Sequence, residues 1–274
     1  MTATTSTETK ATTADGPRTG RLRSNLLGFG VLLGALVLWE VTARLLQSFY
    51  FPPFSTAVVH LFGILTYPEF LLGEALPSLY RMLIGFVVAA VLGIVIGVLT
   101  GSFRQLFRTL DPFFEFFRAI PPPIIIPVGI LLLGIGDAMK IMVIAFGTFW
   151  PVLLNSNDGA RSVSQERLDT AAIFGLRKAQ AIVRVVVPSA MPNIFAGLRI
   201  GLSLSLIMMV ISEMIGSTNG IGYFILDAQK TFRVPDMFAG IALLGLLGYL
   251  LNTGFMALEN KVLAWHHGQT NTPT

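Results

Sequence analysis

The sequence predicts an all-α membrane protein with about six transmembrane helices. Three observations lead there. The mean hydropathy of the 274-residue chain is +0.72. Only 12% of its residues are charged, where soluble domains carry about 25%. Its apolar runs reach about 20 residues, the length that crosses a hydrocarbon core of roughly 30 Å. Cysteine is absent, which excludes a disulfide framework, a thiol nucleophile and cysteine-ligated metal. Of the three histidines, His266 and His267 fall in the C-terminal tail and His60 stands alone. No metal site is expected. The net charge of +4 marks cytoplasmic loops rather than a nucleic-acid surface, as basic residues do in polytopic chains.

Residues 1–24 open with MTATTSTETKATTADGPRTG, eight threonines in twenty and no large apolar residue after Met1. Such a segment buries too little surface to fold alone and is expected to be a disordered tail. Arg18, Arg21 and Arg23 then precede an apolar run. That run is too long for the core of a signal peptide and lacks a small-residue cleavage site, so it is expected to stay as the first span. The spans are expected at about 25–46, 79–100, 113–135, 138–156, 194–215 and 237–259. In the first, Glu40 and Arg44 stand at i and i+4 with the Glu N-terminal, the favourable order for a structural pair. In the second, Gly93 and Gly97 permit close helix packing. The third holds Arg118 and Pro121, Pro122, Pro123 and Pro127. Proline removes backbone donors, so a bent element is expected there, with Arg118 anchoring its inner end.

Placing the N-terminus in the cytoplasm puts fourteen of the nineteen basic residues inside. Arg44, Arg81, Lys140, Lys230 and Arg233 are the five outside. The bias supports both termini inside, and residues 263–274 are read as a second cytoplasmic tail.

The segment 167–192, RLDTAAIFGLRKAQAIVRVVVPSAMP, lies between the fourth and fifth spans, on the cytoplasmic side. Leu168, Ala172, Gly175, Ala179, Ile182 and Val186 follow roughly helical spacing and define an apolar face. Arg167, Asp169, Arg177, Lys178 and Arg184 occupy much of the rest. Gly175 permits a sharp turn between two short helices. Pro188 and Pro192 are expected to stop the second helix before the next span. An amphipathic element of this kind fits either the lipid surface or a groove in a partner protein.

Polar residues inside the spans are the other candidates. Glu213 falls near the outer end of the fifth span, where a carboxylate must face protein or a wet cavity. Two readings fit: a gate or pathway residue, or a structural bond to a neighbour such as the Ser217–Gly222 segment. Ser205, Met208, Met209 and Ser212 share one helix face by their i, i+3, i+4, i+7 spacing and are candidate translocation-pathway residues together with Glu213.

Asp169, Thr170, Ala171, then Gly175, then Val185, Val187 and Pro188 resemble the loop motif of permease subunits from binding-protein-dependent ABC importers. That motif reads Glu-Ala-Ala, three residues, Gly, nine residues, Ile-x-Leu-Pro. The Asp, Thr and Val replacements keep charge sign, small size and apolarity. RAIPPPIIIPVGILLLGIG at 118–136, FGTFWPVLLNSNDG at 146–159 and ISEMIGSTNGIGYFI at 211–225 resemble the sulfonate, taurine and nitrate/bicarbonate branch. The similarity covers roughly residues 30 to 262.

The resemblance implies a type I ABC importer permease fold over residues 25–262, with a coupling helix in the 160–192 loop between helices four and five. It implies that Asp169, Thr170, Ala171, Gly175, Arg177, Lys178 and Pro188 couple the permease to a cytoplasmic ATPase. Asp169 would favour a helix N-terminus through the macrodipole, and Arg177 and Lys178 would pair with ATPase groups. The implied partners are a second permease copy, forming a homodimer, two ATPase subunits and an extracytoplasmic solute-binding protein, in a bacterial cytoplasmic membrane. The cargo would be a small sulfonate-, taurine- or nitrate-like anion moved by alternating access. An unrelated small nutrient is the alternative.

No G-x-x-x-x-G-K-[ST] occurs, so the chain lacks a phosphate-cradling loop. No enzyme activity or cofactor is expected on it. ATP and Mg belong to the partner ATPase. A secondary transporter or channel would want coupling-ion residues in the spans or an internal repeat. An intramembrane hydrolase would want paired Asp, a Ser/His pair or HExxH. The aspartates fall instead at span ends or in loops.

Overall fold

The computed structural model describes residues 17–264, with side chains from residue 30 onward. The tail residues 1–16 and 265–274, including His266 and His267, lie outside the described residues. The chain divides into two compact units, residues 1–56 and 57–274.

The first unit is built on α1 (Pro17–Leu46). The helix begins inside the segment read as tail. A proline suits a first helical position, because its missing N–H has no intrahelical partner there. Beyond the helix, Trp39 Nε1 donates to the Pro52 carbonyl at 3.1 Å, and its ring stacks on Phe51. Glu40 accepts from Arg44 Nε at 2.7 Å. It also accepts from the Ser55 amide at 2.9 Å and the Ser55 hydroxyl at 2.8 Å. The expected i, i+4 pair is present and also ties down the chain after the helix.

Helix α2 (Phe54–Thr66) begins at the boundary between the units. Then follow α3 (Pro68–Ser102), α4 (Arg104–Arg118), α5 (Pro122–Leu133), α6 (Asp137–Arg161) and α7 (Gln165–Ile173). The chain closes with α8 (Lys178–Gly216), α9 (Ile221–Lys230) and α10 (Val234–Val262). Among the described residues, α3, α6, α8 and α10 are long and apolar enough to cross a membrane. Helices α4 and α5, bent by 78° between them, could make a fifth span.

The bend expected at the prolines has a local cause. Pro121 takes an extended ψ of 126°, because a residue preceding a proline is driven out of the helical region.

Two proline effects differ from expectation. Neither Pro188 nor Pro192 ends a helix, since α8 runs unbroken from Lys178 to Gly216. A π-turn at Ile182–Val186 lets the Val187 N–H reach the Ile182 carbonyl. The wider turn carries the chain past Pro188, whose ring and missing N–H would disrupt a regular α-turn. The same device precedes Pro77, where the Leu76 N–H bonds Leu71 O across a π-turn. The second span accordingly starts eleven residues before the expected position. Helices α2 and α9 were not expected at all. They are short, and α9 follows a glycine turn that periodicity does not flag.

Helices α3, α6 and α8 form the core. On α3, Gly93 and Gly97 lie against Val152 and Ser156 of α6, so close that a Cβ at Gly97 would sit 2.7 Å from Ser156 Cβ. This is the close approach that small residues allow between spans. At one end Met82, Ile144, Met208 and Met209 pack together. At the other, Val98, Ala160, Val186, Ala190 and Ile194 do so. Between α3 and α6 a buried Asn157 donates to Thr100 Oγ1 at 2.8 Å, satisfying both in an apolar setting.

Candidate functional site

The segment between α6 and α8 is a helical elbow. Ser164 precedes α7 in an extended conformation, as N-cap residues do. Helix α7 ends when Gly175 takes a φ of +72°. No side chain contacts that position, and the conformation alone calls for glycine. Gly175 and Leu176 donate back to the Ala172 and Ala171 carbonyls at 2.9 and 3.0 Å, closing the turn. Lys178 then opens α8, with the Arg177 amide donating to Gln180 Oε1 at 2.9 Å.

The expected apolar face is redistributed by that turn. Ala171 is buried, and Leu168, Ile182 and Val186 pack inward against the core. Ala172 and Ala179 are exposed. At the tip Ile173 and Phe174 stand 84% and 80% exposed. Two adjacent large apolar side chains so exposed on one tip offer a surface for lipid or for a partner to cover.

Asp169 does not occupy the first turn of α7. Glu166 is there, and Asp169 lies a turn later, accepting from Gln165 Nε2 at 2.9 Å. The structure brings Asp169, Thr170, Gly175, Arg177 and Lys178 onto the exposed elbow and buries Ala171 beneath it. Pro188 is set apart, ten residues into α8.

The far end of α8 carries a buried ionic cluster. Glu213 is fully buried. Its carboxylate accepts from Arg81 Nη1 at 3.0 Å, from the Ser78 hydroxyl at 2.8 Å and from the Gly222 amide at 3.0 Å. Arg81, 2% exposed, also donates to Asp137 Oδ1 at 2.7 Å and to Asn219 Oδ1 at 2.7 Å. Tyr80 donates to the same aspartate. Lys140 is buried with its Nζ 3.8 Å from Asp137. Every acceptor and donor of the Arg81–Glu213 pair is thus engaged, which a buried pair needs to offset its desolvation.

The cluster fixes the turn from α8 into α9. Gly220 has φ +115°, and a Cβ there would meet both Glu213 carboxylate oxygens at 2.5 Å. Its amide donates instead to Glu74, and the Ile221 amide donates to Ser78 Oγ at 2.8 Å. Of the two readings of Glu213, the bond to the Ser217–Gly222 segment is present.

Arg81 and Lys140 are the residues that sequence reasoning missed, having counted them as outside charges. A signal existed. A carboxylate within an apolar span demands a cation at similar depth, and Arg81 is the third residue of the expected second span.

Ser205, Met208, Met209 and Ser212 share a face as expected, and all four are buried. That face packs on the chain's own helices. The Ser205 and Ser212 hydroxyls donate to the Leu202 and Met209 carbonyls of α8 at 2.7 and 2.9 Å, and both methionines lie in the core. Arg118, expected as an anchor, pairs with Glu115 at 2.7 Å.

Long apolar helices packed closely through glycine, with an exposed charged elbow interposed between two of them, define a polytopic helical membrane protein. Over residues 89–262 the chain matches the family described as binding-protein-dependent transport system inner membrane component, and it belongs to that family. It is 31% identical over 251 residues to the taurine transport system permease protein TauC of Escherichia coli K12, covering 89% of this chain and 91% of the relative. It is 36% identical over 186 residues to the nitrate import permease protein NrtB of Synechocystis, covering 68% of each. In fold it is similar to a chain of the inward-facing methionine ABC transporter MetNI. The TM-score is 0.63 at 19% identity, covering 69% of this chain and 94% of the other. The protein is therefore an ABC importer permease of the sulfonate, taurine and nitrate branch.

Proposed function

We propose that the chain works as a six-span permease of a type I importer for a small sulfonate-, taurine- or nitrate-like anion. Helix α1 is the first span in this reading, and the bent α4–α5 element is the third, with α4 running along the inner interface and α5 entering the bilayer. Both termini and the elbow face the cytoplasm, in a bacterial inner membrane. The permease pairs with a second copy, with two ATPase subunits that hold ATP and Mg, and with an extracytoplasmic binding protein. The relatives' cargoes support the anion.

The observation that carries the coupling role is the elbow. Its apolar tip, Ile173 and Phe174, is exposed at a rigid turn. Its second arm is the opening of α8, the helix that reaches the buried cluster. An amphipathic tip of this kind fills a groove on a partner. When two ATPase subunits close on ATP, they would move the two elbows together and switch the permease between inward- and outward-facing states. Ser205, Met208, Met209 and Ser212 serve as packing in the conformation described. They would meet cargo only if α8 moves away from α3 and α6.

Co-purification in mild detergent tests this. Wild type is expected to retain an ATPase subunit, and Gly175→Pro or Phe174→Asp to lose it while the membrane domain stays folded. An ATPase retained equally by all three would sink the coupling role. No ATPase retained by any would reopen a secondary-transporter reading.

A further inference from the structure

Behind the elbow lies a cleft of about 820 Å³, closed by the end of α3, the start of α4, the end of α6, α7 and the start of α8. Its floor is apolar, with Leu168 and Ile182. Its rim carries three cations, Arg104, Arg161 and Lys178. No carboxylate lines it, and among the described residues none of the three cations makes an ion pair. The Arg161 guanidinium rests over the Phe107 ring at 4.7 Å, which holds it in place without neutralising it. The Ser102 hydroxyl at the cleft wall is buried and has no hydrogen-bond partner.

Helix α4 fixes the depth of this cleft in the bilayer. Leu106, Phe107, Leu110, Phe113, Phe114 and Phe117 fall within one third of its circumference at 100° per residue, and charged residues take the opposite face. Phe114 meets Trp150 of α6 edge-on at 6.4 Å. Phe113 is 60% exposed and Phe117 44%. A helix of this pattern lies in the plane of the membrane interface, with its apolar face in the acyl region. It begins at Arg104, at the cleft mouth, so the three cations sit at headgroup level.

We propose that the cleft binds the headgroup of an anionic phospholipid of the inner leaflet. The headgroup phosphate sits among Arg104, Arg161 and Lys178, and the upper acyl chain lies over the apolar floor. A zwitterionic lipid offers no net charge to balance three cations. The bound lipid bridges α4, α6 and both arms of the elbow, so it would stiffen the elbow against the spans. The proposal rests on the orientation given above, with the elbow on the cytoplasmic side.

Native mass spectrometry of the full chain, released from membranes containing phosphatidylglycerol and phosphatidylethanolamine, tests it. Wild type is expected to retain phosphatidylglycerol over phosphatidylethanolamine. The double variant Arg104→Gln/Arg161→Gln should lose that lipid about thirtyfold, given the roughly 1 kcal/mol that each basic residue contributes near an anionic surface. Arg104→Lys/Arg161→Lys, which keeps the charge, should retain it, and this separates lost binding from lost folding. Equal retention of the two lipids overturns the proposal. So does displacement of the lipid by millimolar inorganic phosphate, which would make the cleft a small-anion site. If instead the glutamine variant keeps its lipid but loses a co-purified ATPase subunit, the cleft belongs to the ATPase and the proposal also falls. Lipid retention is read without the ATPase, so this test and the co-purification above can fail independently.

Discussion

Arg81 and Glu213, 132 positions apart in the chain, meet at 3.0 Å, and neither side chain is more than 3% exposed. The pair joins α3 to α8 and, through Ser78, Asn219 and Gly222, to the turn that follows. Arg81→Leu leaves the buried Glu213 carboxylate without its ion-pair partner, and Glu213→Leu leaves the buried Arg81 with Asp137 as its remaining counterion. Arg81→Leu and Glu213→Leu should each cost about 3 kcal/mol. That is a fall of roughly 6–12 °C in the detergent melting temperature. The double variant should lose less than the sum of the two. Additive losses would show that the two residues do not act as a pair.

Gly220→Ala should be nearly as damaging for a different reason. The φ of +115° with ψ 158° belongs to a region occupied almost only by glycine, with strain of about 1–3 kcal/mol for other residues. A Cβ there also collides with Glu213. Expression yield and thermal stability report the loss. A Gly220→Ala protein that melts like wild type would show that the turn and cluster are not rigid.

At the elbow only the backbone is at issue. Gly175 has open space around it and φ +72°. Gly175→Asn should therefore be tolerated, since Asn visits the left-handed region readily. Gly175→Val should weaken ATPase retention at unchanged melting temperature. Equal behaviour of Asn and Val would indicate that the turn conformation does not matter to docking.

The α3–α6 contact should discriminate among glycines. Gly93→Val places atoms into Val152, which a Cβ would already approach to 2.9 Å, and should abolish assembly of the fold. Gly245→Ala on α10 meets nothing within 4 Å and should be neutral or gain about 0.5 kcal/mol. Protease resistance of the two variants in membranes checks the contrast.

What the sequence could disclose followed from local physics. The spans at Asp137–Arg161 and Val234–Val262 lie close to their expected positions, because unbroken apolar length is a one-dimensional property. The bend after Arg118 was equally legible from a proline run. Pro188 was misread because a proline is a helix stop only when the turn before it is a regular α-turn. The π-turn that accommodates it leaves Val186 and Ala190 in the core, a placement that no local pattern displays. The Arg81–Glu213 pair was hidden because each residue was judged within its own span. The missing information was the depth at which two distant spans align. Asp169 was misplaced by one turn, since Ser164 rather than the charge pattern sets where α7 begins.

Helix α8, as one uninterrupted element of 39 residues, has a mechanical meaning. At about 1.5 Å per residue it is a bar roughly 58 Å long. Its handle is Lys178 at the elbow, and its tip carries Glu213, clamped to Arg81. Had Pro188 been a joint, a push on the elbow would be absorbed ten residues later. Without that joint, torque applied at the handle arrives at the clamp. In the coupling role proposed above, that clamp would be the latch the lever has to spring.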